Sequence, residues 1–426
     1  MRFDVFCSLA QTPRAASGKP AHATLLSEFL DQARLADELG YECVWVAENH
    51  YSSELQKTHA NPVIPHWQGE VGVNTGICQL AAQVFARTGR IDVGSAIMNI
   101  VANGGPLPAA EQVASALAWH GLDPDEGRLL RIGFAGGRFD YIVRSTGIVP
   151  RAEWESAAWP QVKKAIFREA ATIFLRLLHG EDVSGGETPE TVLGHADFRS
   201  AQDYEDVLSR APADVRVPGG IRVPRRWDFE ATRIVPDFRR ELLRCYAGTH
   251  DAVLQEHLGE RFGSRALNLS VTPTEIIEDT HRRMTEVFNR SGRSWSRSYM
   301  PRTTLVFLDA TPGMSRQARR AAAWDRAKEA LSAHRMGMDG TVDPDKVESG
   351  ADNALIGAPE DVAEQIVRRF DHEDRLMLWF DFFHQGGDTV LAQMAAFQQQ
   401  VVPLLQARGV PAGVPSRGRH HAAARA

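Results

Sequence analysis

The sequence predicts an α/β protein, a parallel (β/α)8 barrel with insertions. Three observations carry that expectation. Short apolar runs of strand length alternate with stretches whose apolar residues recur at helical spacing. Eight such pairs fit along the chain, the count that closes a parallel barrel. No G-x-G-x-x-G follows the first run, which disfavours an open dinucleotide-binding sheet.

Taken in order, Phe3 to Leu9 reads as the first strand. Leu25, Leu26, Phe29, Leu30, Ala33, Ala36 and Leu39 trace the first helix, which Gly40 stops. Glu42 to Ala47 is the second strand, followed by a long loop and a helix near Gly76 to Arg87. Ile91 to Ile97 and Leu129 to Ala135 are strands three and four, with helices at Ala109 to His120 and Pro160 to Leu178. Between Gly180 and Arg240 the apolar residues lose their period, which leaves an active-site lid or a partly disordered insertion.

Alternation resumes with strand five at Leu242 to Ala247, a helix after His250, and strand six at Arg265 to Val271. Thr272 as N-cap, Pro273 at the first helical position and Glu275 closing a capping box predict the next helix start. Ile276, Ile277, Thr280, Met284, Val287 and Phe288 lie on one face of that helix. Thr303 to Asp309 is strand seven, Ser315 to His334 a polar helix, and Gly337 to Gly357 a loop. Pro359 opens a short helix, Leu376 to Phe380 is strand eight, and Leu391, Met394, Phe397 and Val401 mark the last helix. The expected organisation is one barrel domain over residues 1–408, with the insertion at about 180–240 and a disordered tail over 409–426.

Composition narrows the function. The chain has 426 residues, 43% hydrophobic and 24% charged, enough for a large core. A net charge of -6 leaves no basic excess for a nucleic-acid partner. Cys7, Cys43, Cys78 and Cys245 show neither disulfide nor metal spacing and read as small buried hydrophobes, and no metal site is expected. No leader or membrane-spanning run stands out, so the expectation is a cytoplasmic protein without a membrane partner.

In a barrel, reactive groups lie where strands end at the C-terminal face. Strand two ends in Glu48-Asn49-His50-Tyr51, placing a carboxylate, an amide, an imidazole and a phenol on consecutive residues; a solvated loop is the plain alternative. Strand three ends in Met98-Asn99, with Asn103-Gly104-Gly105-Pro106 beyond, small residues past which a flat ligand could approach, or a simple turn. Gly136-Gly137-Arg138 after strand four offers free amides beside a guanidinium, suited to phosphate. Gly248-Thr249-His250 after strand five offers a hydroxyl and amides near a helix start, although Thr is equally an ordinary N-cap. His257, His281 and His334 fall within helices, and Trp45 and Trp379 within strands, where packing explains them.

Four segments resemble the bacterial luciferase-like flavin monooxygenase family. Phe29 to Tyr51 resembles its A-E-x-x-G-F-x-x-x-W-x-x-E-H-H-F, and Arg90 to Ile97 its R-I-x-x-G-T-A. Ala110-Glu111 followed by Gly127-Arg128 through Gly137 resembles its A-E, G-R and glycine-rich strand end. Ile356 to Val362 resembles its G-T-P-E-x-V before the last strand. Singly each motif is loose; the four in order are specific, and they span most of the chain apart from the insertion and the tail.

The resemblance implies a (β/α)8 barrel that binds FMN at its mouth and takes reduced flavin from a separate flavin reductase. It implies use of dioxygen to oxygenate a small organic substrate, in specialised metabolism, and a homodimer. Ala96, Ile97, Met98 and Asn99 would lie at the ring, where relatives carry a non-proline cis peptide. Gly136, Gly137, Arg138, Gly248 and Thr249 would hold the phosphate. His50 would exchange protons, with Glu48 orienting it. Asn49 stands where the family carries the first His, and Gly136 where it often carries Arg. These departures keep two alternatives open: a deazaflavin-dependent hydride-transfer oxidoreductase, and a non-catalytic luciferase-like partner subunit. His59, His66, Trp67, Arg225, Arg226 and Trp227 are loop residues that could meet substrate, although structural roles explain them equally.

Overall fold

A computed structural model describes residues 1–14, 18–74, 76–268, 272–340, 345, 351–383 and 386–413. Twelve strands are defined among them: β1 (Arg2–Cys7), β2 (Cys43–Val46), β3 (Asp92–Asn99), β4 (Leu130–Ala135), β5 (Thr191–Leu193), β6 (Arg216–Val217), β7 (Gly220–Val223), β8 (Leu243–Ala247), β9 (Arg265–Ala266), β10 (Arg302–Leu308), β11 (Leu355–Gly357) and β12 (Arg375–Trp379). The main sheet runs β11-β10-β12-β1-β2-β3-β4-β8-β9. Its registered pairs are parallel, with Val5 opposite both Leu378 and Val44, and Val44 opposite Val93. Just beyond β9, Asn268 forms a parallel bridge to Arg302. Its N–H donates to Pro301 O at 3.0 Å, and its carbonyl accepts from Thr303 N at 3.3 Å. That bridge returns the sheet to β10, so β1, β2, β3, β4, β8, β9, β10 and β12 form the ring of a (β/α)8 barrel.

The chain divides into two compact units. The first comprises Met1–Ile97, Asp123–Gly133 and Glu241–Ala426, the second Met98–Leu122 and Phe134–Arg240. In the first unit the strand interiors form two layers. The lower layer is charged: Arg375 pairs with Asp4 at 2.8 Å and with Glu42 at 2.8 Å, and Arg131 with Asp92 at 2.6 Å. The Tyr246 hydroxyl accepts from Arg131 Nη1 at 2.8 Å and from Arg265 Nη1 at 3.0 Å. The Trp45 indole N–H donates to Asp4 at 2.7 Å. Opposite charges at this spacing make burial tolerable where a lone ion would be costly.

The upper layer is apolar. Phe6, Cys43, Trp45, Ala96, Tyr246, Leu267 and Met377 form one buried cluster, with Ala47, Ile97 and Trp379 packed on it and only partly covered. Gly94 is required by this packing, since a Cβ there would lie 2.3 Å from the Trp45 ring.

In the second unit, helices Pro106–His120 and Trp159–Leu178 pack together. Residues 180–240 are not a disordered insertion. They carry helix Ala201–Arg210 and an antiparallel sheet ordered β5-β7-β6. These elements are too short to give a recognisable hydrophobic period, which is why the sequence reads as irregular.

Other expectations also change. Gly337 to Gly357 is not all loop: helix Arg316–Met338 extends into it and β11 ends it, while residues 341–344 and 346–350 lie outside the described set. β11 is only a three-residue strand, formed because Val306–Leu308 supplies a ladder partner. The capping box at Thr272 does not form. The helix there spans Thr274–Arg290 with Pro273 as N-cap, and Thr272 Oγ1 is buried without a hydrogen-bond partner. Of strand six, residues 269–271 lie outside the described set. In the tail, Ala412 is buried and accepts from Gln406 Nε2 at 2.6 Å, so 409–413 packs onto the domain; residues 414–426 lie outside the described set. No helix among the described residues is long and apolar enough to cross a membrane.

Candidate active site

The strand ends of the first unit carry most of the predicted chemistry. After β2, Glu48 and His50 form a pair, with Nε2 to Oε1 at 2.8 Å. Both side chains are largely covered, 1% and 10% exposed, so the imidazole meets a carboxylate shielded from water. Asn49 is local scaffolding: its N–H donates to Asn74 O at 3.2 Å and its Nδ2 to Tyr51 O at 3.4 Å. Tyr51 has φ 60° and is exposed.

At the end of β3, Ala96 belongs to the buried apolar cluster and Ile97 sits on its edge, partly exposed. The bond between them is cis, as the resemblance implies for this strand end. After β8, Thr249 Oγ1 accepts from Asp251 N at 3.1 Å. Asp251, not Thr249, caps helix Ala252–Phe262, accepting from Leu254 N. The Thr249 hydroxyl therefore keeps its proton to donate, and Gly248 beside it is half-buried.

These residues fit a flat aromatic group with an anionic tail. Ala47, Ile97 and Trp379 offer uncovered apolar surface over a dry cluster, and Thr249 offers a donor at the head of a helix. Among the described residues no three His, Cys, Asp or Glu side chains are grouped so as to hold a metal ion.

In the second unit the remaining candidates serve structure visibly. Met98 is fully buried. Asn99 Oδ1 accepts from Val101 N at 3.1 Å and Ala102 N at 3.0 Å, closing the turn after β3. Gly137, at φ +82°, packs on Asn99: a Cβ there would lie 2.0 Å from Asn99 Nδ2. Gly136 lies against Phe167. Arg138 is exposed, its guanidinium 5.4 Å from the Phe139 ring centroid. The space over Gly105 is not left for a ligand, because the Trp227 indole fills it. Trp227 is held in turn: Glu169 accepts from Arg226 N at 2.9 Å and Trp227 N at 3.1 Å, and Glu155 pairs with Arg226 at 2.7 Å. Of the other loop candidates, Trp67 is buried against Phe383, whereas His59 and His66 are exposed.

One group escaped the sequence reading. Asp381, two residues beyond β12, accepts from Ser8 N at 3.1 Å. Burial pushes its carboxyl up to about 6, against the pull of the Ser8 N–H. The signal was available: an acid at a strand end, in W-F-D-F-F, where its neighbours are all aromatic.

Residues 1–122 match the family model described as luciferase-like monooxygenase. No curated protein matches. Among solved structures, the chain is similar to the monooxygenase RslO1 from Streptomyces bottropensis, at 17% identity and a TM-score of 0.63, over 95% of this chain and 99% of that one. It is similar to the oxygenating constituent of 3,6-diketocamphane monooxygenase from Pseudomonas putida, a type II Baeyer–Villiger enzyme in complex with FMN. That likeness is 15% in identity and 0.55 in TM-score, over 95% and 98% of the chains. An F420-dependent secondary alcohol dehydrogenase in complex with an F420-acetone adduct is similar at 13% and 0.55, over 95% and 98%. At these identities the likeness is one of fold. The chain has the (β/α)8 barrel of these enzymes, and over residues 1–122 its sequence matches the luciferase-like monooxygenase family.

Proposed function

We propose that this protein is an FMN-dependent monooxygenase that uses reduced flavin from a separate reductase, and dioxygen, to oxygenate a small organic substrate. The observation that carries the reading is the partly uncovered apolar platform of Ala47, Ile97 and Trp379 on a buried apolar cluster, beside the Glu48–His50 pair. When bound and reduced, FMN supplies the electrons that activate dioxygen. The chain's residues do the rest. Ile97 and Trp379 exclude water from one face of the ring. Thr249 Oγ1 donates to the phosphate, and Gly248 leaves room for its approach. Glu48 holds the His50 imidazole in one orientation through Nε2, and the ring's other nitrogen, Nδ1, passes a proton at the rim. Gly136, Gly137, Arg138, Met98 and Asn99 keep their proposed cofactor roles as separate tests, each by its own variant.

Fluorescence titration with FMN tests the cofactor, and mass spectrometry of products formed under labelled dioxygen tests the reaction. Binding in the micromolar range and label in the product are expected; no quenching by FMN sinks the reading. A second reading, hydride transfer with a deazaflavin, draws support from the equal fold likeness to the F420-dependent dehydrogenase. Substrate conversion without dioxygen would select it. A chain that binds neither cofactor would be a non-catalytic partner subunit.

A further inference from the structure

Three neighbouring strand ends meet around Asp381. β12, β1 and β2 are adjacent in the sheet. Asp381, beyond β12, accepts from the Ser8 backbone N–H at 3.1 Å and lies 3.5 Å from the Ser8 hydroxyl. Ser8 follows β1, and its carbonyl lies against Gly72, whose other neighbour is Asn49 beyond β2: a Cβ on Gly72 would lie 3.6 Å from Ser8 O and 3.1 Å from Asn49 Cβ. Asp381 therefore belongs to the same stretch of rim where the family's first imidazole is replaced by Asn49.

The groups facing Asp381 make it different from the other rim acid. Glu48 has the His50 ring against it. Among the described residues Asp381 makes no ion pair: Arg14, whose charge acts on it from a distance, is committed to Glu28 through bonds of 2.8 and 2.6 Å. Cys7 faces it from β1, its thiol pushed well up by burial, and adds no positive charge. Trp379 precedes it on β12 and forms part of the apolar platform. The residue is largely but not wholly covered, so solvent still reaches it in part.

We propose that Asp381 is a proton-exchanging group of the flavin-binding rim, taking up a proton when an anionic flavin covers it and returning it when the site empties. The inference rests on the flavin reading. A ring laid on Trp379 and Ile97 removes water from the carboxyl, and a phosphate adds negative charge; both favour the neutral acid. Because burial already holds the carboxyl up at about 6, a modest further rise crosses neutral pH.

The probe is FMN itself. Isothermal titration at pH 7 in two buffers of different ionisation enthalpy counts protons exchanged on binding. Wild type is expected to take up a measurable fraction of a proton, and Asp381→Asn to bind with that uptake lost. Carbon-13 NMR of aspartate-labelled wild type gives the second reading, with one carboxyl titrating near 6 and moving upward when FMN is added. FMN binding with no uptake, uptake unchanged in Asp381→Asn, or no FMN-dependent shift overturns this proposal and leaves the flavin reading standing. Absence of FMN binding overturns the flavin reading and this inference with it.

Discussion

Tyr246 is expected to ionise at a lower pH than an ordinary tyrosine. Its oxygen accepts from Arg131 and Arg265, at 2.8 and 3.0 Å, and guanidinium groups cannot accept in return. Among the described residues Arg265 has no carboxylate partner; it lies over the Tyr299 ring at 3.6 Å and donates to the Tyr246 oxygen. Burial alone would raise the phenol, but Arg131, Arg265 and Arg375 outweigh it and hold it below the usual value of 10.0.

Tyr246→Phe leaves two buried guanidinium N–H groups without that acceptor. At roughly 1.5–3 kcal/mol for each bond to a charged group, the loss is about 3–6 kcal/mol. The pH dependence has a definite sign. Between the folded and unfolded values the unfolded chain binds more protons at this site, so wild-type stability rises with pH. The contribution is complete above the unfolded value and is lost as pH falls through the lowered folded one. Urea unfolding at several pH values should show wild type gaining on Tyr246→Phe as pH rises, and absorbance at 295 nm should show one early phenolate missing from the variant. Coincident absorbance titrations with a pH-independent stability gap would refute the reasoning.

Thr249→Val should weaken FMN binding about tenfold, the worth of one donor to phosphate, while leaving riboflavin affinity unchanged; fluorescence titration with both ligands checks it. Gly94→Ala should cost about 1–3 kcal/mol in urea unfolding, because its Cβ would meet the fully buried Trp45 ring at 2.3 Å. Glu169→Gln should speed hydrogen exchange at the Arg226 and Trp227 amides, since an amide oxygen replaces a carboxylate that receives both. Arg375→Met should cost about 3–5 kcal/mol, leaving Asp4 buried without its cation.

The barrel was legible because its strands and helices keep clean periods. Gly40, at φ 84°, ends the first helix as its residue type dictates. The Glu48–His50 pair was legible because both groups sit on one strand end, within reach of each other. Three things were not. The insertion hid its structure because β5, β6 and β7 each run only two to four residues. Gly105 looked like an opening for a ligand, but its space is spent on Trp227, far away in the sequence. The charged layer was hinted at by charges within the first three residues of largely apolar strands: Asp4, Asp92, Arg131 and Arg375. Only the closure of the sheet tells which acid meets which base.

That closure has a bearing on biosynthesis. Asp4 is synthesised well ahead of its cation, which lies 371 positions downstream. Until Arg375 arrives, seating the first strand would strand a carboxylate in a dry interior, so the seam between the opening and closing strands should be the last part of the barrel to set. A nascent chain stalled before residue 375 would then keep β1 exposed.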